Sequence, residues 1–286
     1  MENETLKNTV IIYHADCRDG FGSAYAAWKK FGEDATYIPL NASVNEPPEG
    51  LADKEVYVVD FSFTQPVLQA MVDTNKSVVV IDHHITAKEA VESFEGNIFD
   101  NDHSGAVLTW KYFHPDTTIP PLLEYVEDHD LWRFALPENR EFGVALGTVP
   151  MTFEGWDTLI EELKDTDKLI NFIAKGSLLA KFEDKLVAHM MTRKERVLFE
   201  GHEIWVLNTS EYASVLGNQL AELNLASEQT PIGIVYYHSD GKIKMSLRSI
   251  GDTDVSIIAQ KYGGGGHKNA SGMSVPTFAD LPFAFI

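Results

Sequence analysis

The stretch Thr9–Ala24, TVIIYHADCRDGFGSA, decides the fold of the first half of the chain because an apolar run ends abruptly in ionisable residues and glycines. TVIIY is a short β-branched run without polar alternation, which is typical of a strand buried on both faces of a parallel sheet. Phe21–Phe31 then carries apolar residues at helical spacing. The stretch therefore predicts a buried strand that passes through a charged loop into a helix.

The same pattern returns twice further along the chain. Glu55–Asp60 (EVYVVD) and Ser77–Asp82 (SVVVID) indicate two more buried strands, and Thr64–Asn75 between them indicates a helix. A fourth strand is predicted near Asn97–Phe99, followed by a helix that Ser104 caps. Strands that alternate with helices predict an α/β domain in which a parallel sheet carries helices on both faces.

The pattern changes after the middle of the chain. Three helices are expected first, at Pro120–His129, Trp156–Lys164 and Lys168–Arg196. The last of them is expected to break near Gly176. From about Gly201 the strands and helices of a small α+β domain are expected at His202–Leu207, Ala213–Leu225, Ile232–His238, Lys242–Arg248 and Val255–Tyr262. The predicted organisation is one domain over residues 1–175, a helical linker over 176–200 and a smaller domain over 201–286.

Charge and composition limit the classes of partner. A formal net charge of −20 opposes binding of long duplex nucleic acid, which depends on Lys and Arg to neutralise phosphates. No apolar run approaches the ~18 residues of a membrane helix, and the polar start of the chain lacks the features of a signal peptide. The single cysteine excludes an internal disulfide. We therefore expect a cytoplasmic protein without membrane association.

Metal-capable side chains follow each of the first three predicted strands. Since the carboxyl ends of parallel strands meet at one edge of a sheet, these side chains are expected to converge. A single Asp at a strand end is more often a turn former, but three consecutive strand ends of this kind make coincidence a poor explanation. Carboxylates crowded without a cation repel one another, and divalent metal ions remove that conflict. The residues are His14, Asp16, Asp19, Asp60, Asp82, His83 and His84.

The chemistry of these side chains favours a pair of metal ions. A set of ligands that consists of Asp and His, with almost no sulfur, suits Mn²⁺, Mg²⁺ or Fe²⁺ better than a structural zinc ion. Five or more ligands allow two ions, and two ions bridged by a carboxylate are a standard device for phosphoryl hydrolysis. Asp60, on the middle strand, is the expected bridge. We predict two divalent ions, with Mn²⁺ preferred and Mg²⁺ or another divalent ion as the alternative.

A glycine-rich run near the end of the chain, GGGGHKNASG at Gly263–Gly272, indicates a second site. It is not a Walker loop, because no Gly-Lys-Ser/Thr ending follows the glycines. Glycines offer backbone N–H groups and close approach to an anion, and the polar side chains nearby can contact a phosphate or a base. The predicted substrate-binding residues are Arg248, Gly264, Gly265, Gly266, His267, Asn269 and Ser271.

Together these motifs resemble a known family. His14–Ala24 (HADCRDGFGSA), Val58–Ser62 (VVDFS) and Ile81–His84 (IDHH) are similar to the first three motifs of the DHH phosphoesterases. Ser246–Gly272, SLRS…DVSIIAQKYGGGGHKNASG, resembles the associated DHHA1 domain with its Gly-Gly-Gly-His signature. The order and spacing of the motifs match over nearly the whole chain, so the resemblance implies an N-terminal DHH domain and a C-terminal DHHA1 domain.

The resemblance also implies roles for single residues. His14 and the acids that follow it serve one or other of two metals, and Asp60 bridges the two. His83 is implied as a metal ligand, whereas His84 faces the scissile phosphate. Asp82 is expected to orient the site. His84 and Asp82 are therefore the expected catalytic residues.

Two assignments stay open at this point. The fourth motif of the family lies in Glu127–Phe134 (EDHDLWRF), where either Asp130 or Asp128 can supply the ligand; Trp132 and Phe134 are expected to pack near it. In the first motif the spacing departs from the usual pattern. Asp19 directly precedes a glycine and is the firmer choice, whereas Asp16 is either a ligand or only a neighbour of the site.

The resulting prediction is a two-metal phosphodiesterase in which hydroxide attacks short oligonucleotides or small cyclic or linear nucleotides. Its expected partners are small nucleotides or short single-stranded RNA or DNA, and a homodimer is compatible with the sequence. One alternative is a pyrophosphatase or exopolyphosphatase. A second is a nucleotide-binding sensor with a decayed active site.

Overall fold

A computed structural model describes residues 6–41 and 44–286. These form two compact units that divide between Ala180 and Lys181. Residues 1–5, for which the sequence predicts no targeting segment, lie outside the described residues. The predicted domain boundaries at residues 175 and 201 stay predictions.

The first unit is built on a parallel sheet, as the sequence predicts. The strand order is β2-β1-β3-β4-β5, and every neighbouring pair is parallel. Its strands are β1 (Thr9–His14), β2 (Ala35–Leu40), β3 (Glu55–Val59), β4 (Ser77–Asp82) and β5 (Ile98–Phe99). Strand β2 was not expected. It lies at the sheet edge, where Pro39 is tolerated although it lacks a backbone donor.

Helices cover both faces of this sheet, which confirms the predicted α/β class. Ile11 packs with Ala27 and Leu108 on one face, whereas Val10 packs with Leu68 on the other. The helices of this part of the chain are α1 (Arg18–Phe31), α2 (Gln65–Thr74), α3 (Lys88–Glu92), α4 (Gly105–Phe113), α5 (Pro121–Asp130), α6 (Asn139–Leu146), α7 (Phe153–Leu163) and α8 (Thr166–Met191). Because each β–α connection returns the chain in the same direction, the strand ends that carry ionisable residues lie at one edge.

Helix α8 corrects the expectation of a break at Gly176. The helix is continuous from Thr166 to Met191. A Cβ at Gly176 would lie 1.8 Å from the backbone oxygen of Glu141, so the glycine is there for close packing against α6. The helix also ends before Arg196, because Glu195–Phe199 forms a strand instead. None of the described helices is long and apolar enough to cross a membrane.

The second unit is a smaller α+β domain, as predicted. Its sheet has the order β10-β11-β9-β8-β7-β6-β12, antiparallel except between β7 and β8. Its elements are β6 (Glu195–Phe199), β7 (His202–Asn208), α9 (Ala213–Ala226), β8 (Ile232–Ser239), β9 (Lys242–Ser249), α10 (Val255–Lys261), β10 (Gly265–His267), β11 (Ala270–Val275) and β12 (Phe283–Phe285). Leu220 of α9 and Ala259 of α10 belong to different hydrophobic clusters of this sheet.

Candidate functional site

The ends of β1, β3 and β4 bring carboxylates and imidazoles together. The central contact is between His83 and Asp60, whose Nε2 and Oδ1 atoms are 3.1 Å apart. The same His83 nitrogen lies 3.6 Å from Oδ2 of Asp19 and 3.6 Å from Oδ2 of Asp130. His14 lies near the other oxygen of Asp60, with its Nδ1 atom 3.6 Å from Oδ2. The predicted convergence at the sheet edge is therefore present.

Asp60 occupies the middle of this group in an unusual state. It directly follows β3, its φ angle is 51°, and its side chain is 1% exposed. Neither carboxylate oxygen makes a well-formed hydrogen bond within the described part of the chain. A buried carboxylate in this condition is costly unless a cation satisfies it. Its two oxygens face different histidines, so the residue fits a ligand shared by two ions.

Asp19 is positioned by the beginning of helix α4. Its two oxygens accept hydrogen bonds from the backbone N–H groups of Gly105, at 2.7 Å, and Ala106, at 3.0 Å. These are free donors at a helix N-terminus, where a negative charge is favoured. A Cβ on Gly105 would lie 2.5 Å from Cβ of Asp60, so glycine is required for α4 to approach both acids. Sequence reasoning did not identify Gly105, although its place beside the cap Ser104 was visible.

Asp82 holds the orientation of the two histidines that follow it. Its Oδ1 accepts hydrogen bonds from the backbone N–H groups of His83, at 2.8 Å, and His84, at 3.3 Å, and lies 2.7 Å from Nδ1 of His84. Burial lowers the pKa of His84, but Asp82 outweighs that effect and raises it to about 9. The His84 ring is thus fixed through one nitrogen, and the Asp82 carboxylate beside it favours the protonated form.

Burial and neighbouring charges shift the pKa values of the three acids in different directions. Burial raises the pKa of Asp19, and the charges of Asp60 and Asp130 raise it further. Burial raises the pKa of Asp60 as well, but contacts with His14 and His83 outweigh it and hold that pKa low. Burial also raises the pKa of Asp130. Divalent cations stabilise acids that are this close together by replacing protons.

The two acids proposed for the fourth motif occupy different environments. Asp128 is buried and accepts hydrogen bonds from the backbone N–H groups of Ala135 and Leu136 and from Nδ2 of Asn139. Its carboxylate therefore holds the turn after α5. Asp130 instead belongs to a cluster with Asp19 and His83 whose ligand atoms lie within 4.8 Å of one another.

The residues of the first motif also occupy different environments. Asp16 is exposed and belongs to none of the His/Cys/Asp/Glu clusters found among the described residues. Cys17 is half-buried and lies in a cluster with His14 and Asp60. Burial and the charge of Asp60 raise the pKa of its thiol well above the usual range. The thiol is therefore neutral unless a cation offsets those charges.

In the second unit, Arg248 is partly buried and held by hydrogen bonds. Its guanidinium donates to Oγ of Ser246, to the backbone oxygen of Leu247 and to Oγ of Ser214. No salt bridge to Arg248 is found among the described residues, and burial alone lowers its pKa. An arginine in this setting retains a positive charge that an anionic ligand can use.

The glycine-rich run forms a hairpin in which Gly265 and His267 lie on β10, opposite β11. The N–H group of Gly264 donates to the backbone oxygen of Ala259, so it is used at the end of α10. Gly266 has a φ angle of +134°, and a Cβ there would lie 2.6 Å from the backbone oxygen of Ala270.

Two polar side chains of the same run make internal bonds. Asn269 donates to Oγ of Ser249 at 2.9 Å, and Oγ of Ser271 donates to the backbone oxygen of His267 at 2.8 Å. These contacts position the hairpin. They also occupy the side-chain donors of Asn269 and Ser271, which were predicted from the sequence to bind substrate. A role of these residues in binding stays a prediction.

Comparison with known proteins identifies the class. Residues 210–284 match the family model of the DHHA1 domain. The uncharacterized protein R106 of Acanthamoeba polyphaga mimivirus is 31% identical to this chain, over 93% of the chain and 67% of its own length. Oligoribonuclease NrnB of Bacillus subtilis is 25% identical, over 92% of this chain and 72% of its own.

A solved structure shows the same fold. It is the DHH domain of PF0399, described as a member of the s1p family of ribosomal proteins. It superposes with a TM-score of 0.57 at 11% identity, covering 98% of this chain and 83% of that one. The protein is an α/β phosphoesterase with a metal-capable acidic site. The chain belongs to the DHH/DHHA1 phosphoesterase family.

Proposed function

We propose that the protein is a divalent-metal-dependent phosphodiesterase that acts on short oligonucleotides. The observation that carries this proposal is the buried Asp60, whose two oxygens make no well-formed hydrogen bond among the described residues and lie near the imidazoles of His14 and His83. The name of the relative NrnB, an oligoribonuclease, supports the choice of substrate. The net charge of −20 also favours substrates that carry few phosphates.

The cluster divides into two sets of ligands around Asp60. His14 lies against Oδ2, and His83 lies against Oδ1. Asp19 and Asp130 surround the same His83 nitrogen, so we assign them to the second set. Two bound divalent ions would lower the pKa of the attacking water and stabilise charge on the phosphoryl oxygens.

The protein's own residues then orient and protonate the substrate. Asp82 holds His84 by its Nδ1 atom, so the ring is fixed before substrate arrives. A protonated His84 can donate to a phosphoryl oxygen or give a proton to the leaving oxygen. We further propose that Arg248 binds a phosphate or a base of the substrate away from the reacting bond, where binding energy serves orientation.

A substrate panel tests this proposal. The purified protein with Mn²⁺, and separately with Mg²⁺, is incubated with RNAs of two to five nucleotides, cyclic mononucleotides, cyclic dinucleotides, phosphoadenosine phosphate, pyrophosphate and polyphosphate. We expect mononucleotides to be released from the short RNAs, and excess chelator to abolish the reaction because the acids lose their cations. Release of phosphate from polyphosphate without nucleotide turnover would favour the exopolyphosphatase alternative. Nucleotide binding without hydrolysis would favour the sensor.

The two fourth-motif acids should separate into a structural and a functional residue. Asp130→Asn is expected to lower kcat/KM by about 100-fold or more with little loss of stability, because it removes a metal-facing carboxylate. Asp128→Asn is expected to lower the free energy of unfolding by about 2–4 kcal/mol, because the three hydrogen bonds that the Asp128 carboxylate accepts lose a charged acceptor. Urea unfolding and steady-state kinetics of both variants measure this. The reverse pattern would show that Asp128 is the ligand.

A further inference from the structure

Two aromatic side chains beside the metal-capable cluster are exposed to solvent. Trp132 and Phe134 lie two and four residues after Asp130 in the sequence, and their exposed fractions are 42% and 40%. They contact the ring of His129, with centroid distances of 5.9 and 5.4 Å, and each other, at 4.8 Å. The two rings therefore pack near the fourth motif, as the sequence indicates. Part of the surface of each ring nevertheless stays exposed to solvent.

The backbone that presents them is strained. Trp132 has a φ angle of 54° and Phe134 one of 48°, in the left-handed region that bulky residues avoid. Each such residue costs of order 1 kcal/mol, and the cost persists only where the surroundings fix the conformation. Glycine would adopt these φ angles without strain, whereas the aromatic residues found here do not.

The turn is also rigid, because Asp128 bonds to it repeatedly. The backbone oxygen of Asp128 accepts from the N–H groups of Arg133, at 2.9 Å, and Phe134, at 3.3 Å, and its carboxylate accepts from the two residues that follow. The Arg133 side chain donates to the backbone oxygen of Asp102 and lies 3.6 Å from Glu127. A preorganised surface loses little entropy on binding.

From these contacts we propose that Trp132 and Phe134 form a platform on which a nucleobase of the substrate stacks, an inference that rests on the proposed function. The platform follows the acid assigned to the second metal set, so a base bound here belongs to a nucleotide adjacent to the reacting phosphate. Stacking on aromatic side chains is tolerant of sequence but stronger for larger rings. The pair therefore determines preference for nucleotides over base-free phosphodiesters, and for purines over pyrimidines.

The test compares two dinucleotides, one with both bases and one abasic at both positions. For Trp132→Ala/Phe134→Ala, we expect kcat/KM to fall about 10- to 100-fold on the dinucleotide with bases, mainly through KM. The abasic substrate should lose less than about 2-fold, since no stacking is removed. Trp132→Phe should retain most activity. Phe278→Ala, which removes another exposed aromatic ring far along the chain, is the matched control.

An equal loss of kcat/KM on both substrates, or no loss on either, would overturn the proposal that Trp132 and Phe134 stack on a base. If the wild-type protein hydrolyses neither substrate, the proposed function fails, and the platform is judged by binding of AMP and ribose 5-phosphate in calorimetric titrations. Tighter binding of AMP that the double variant abolishes would then support it. Equal binding of the two ligands to the wild-type protein would refute it.

Discussion

Asp60→Asn is expected to lower kcat/KM for short oligonucleotides by about 1,000-fold or more, because bound metal ions supply several kcal/mol of transition-state stabilisation. The substitution keeps the shape of the side chain but removes the charge between the two ligand sets. Asparagine also tolerates the left-handed backbone found at this position. The loss should therefore report on the carboxylate itself and not on the turn that holds it.

Metal content and folding must be measured with the kinetics. The variant should bind fewer Mn²⁺ ions per chain in elemental analysis, and circular dichroism should show that the fold is retained. Asp53→Asn is the matched control, because Asp53 is 83% exposed and also has a positive φ angle of 60°. Near-normal turnover by Asp60→Asn with reduced metal would show that the ions are not needed for the reaction.

Gly20→Ala is expected to give the largest loss of stability among single substitutions at the site, about 3 kcal/mol or more in the free energy of unfolding. A Cβ at this position would lie 2.1 Å from the backbone oxygen of His14. The contact is with backbone, so no side-chain rotation can relieve it. The shift needed would displace His14 and Asp19 together, because His14 is the last residue of β1 and Asp19 directly precedes Gly20 in the first turn of α1.

A second helical glycine provides the comparison. A Cβ at Gly143 would lie 3.4 Å from Nη1 of Arg18, which is ordinary contact. Gly143→Ala should therefore change the free energy of unfolding by less than about 1 kcal/mol, since Ala is the better helix former. Urea titrations of both variants measure the difference. Equal stabilities would mean that the loop after β1 accommodates a methyl group and that its close packing is not required.

The parts of the fold that rest on local pattern could be predicted from the sequence. β1, β3 and β4 are β-branched runs buried on both faces, and that composition is visible without tertiary contacts. β2 was missed because an edge strand containing Pro39 lacks the same signal. Gly176 was misread because a glycine in a helix can mark a break or a close approach, and only the position of Glu141 distinguishes them.

The same limit applies to the site. The convergence of the three strand ends followed from the topology of parallel sheets, and the structure shows it. Asp128 and Asp130 could not be separated from sequence, because both lie at the end of α5 and their partners come from distant residues. The exposure of Trp132 could not be foreseen either, since an aromatic residue beside an acidic motif is usually assumed to be buried.

The number of Mn²⁺ ions bound per chain tests the central claim most directly. Titration of the metal-free protein by calorimetry should give two sites in the wild-type chain and at most one in Asp60→Asn, because that carboxylate lies between both ligand sets. Two sites in both proteins, or none in the wild type, would contradict the assignment of this cluster as the metal centre.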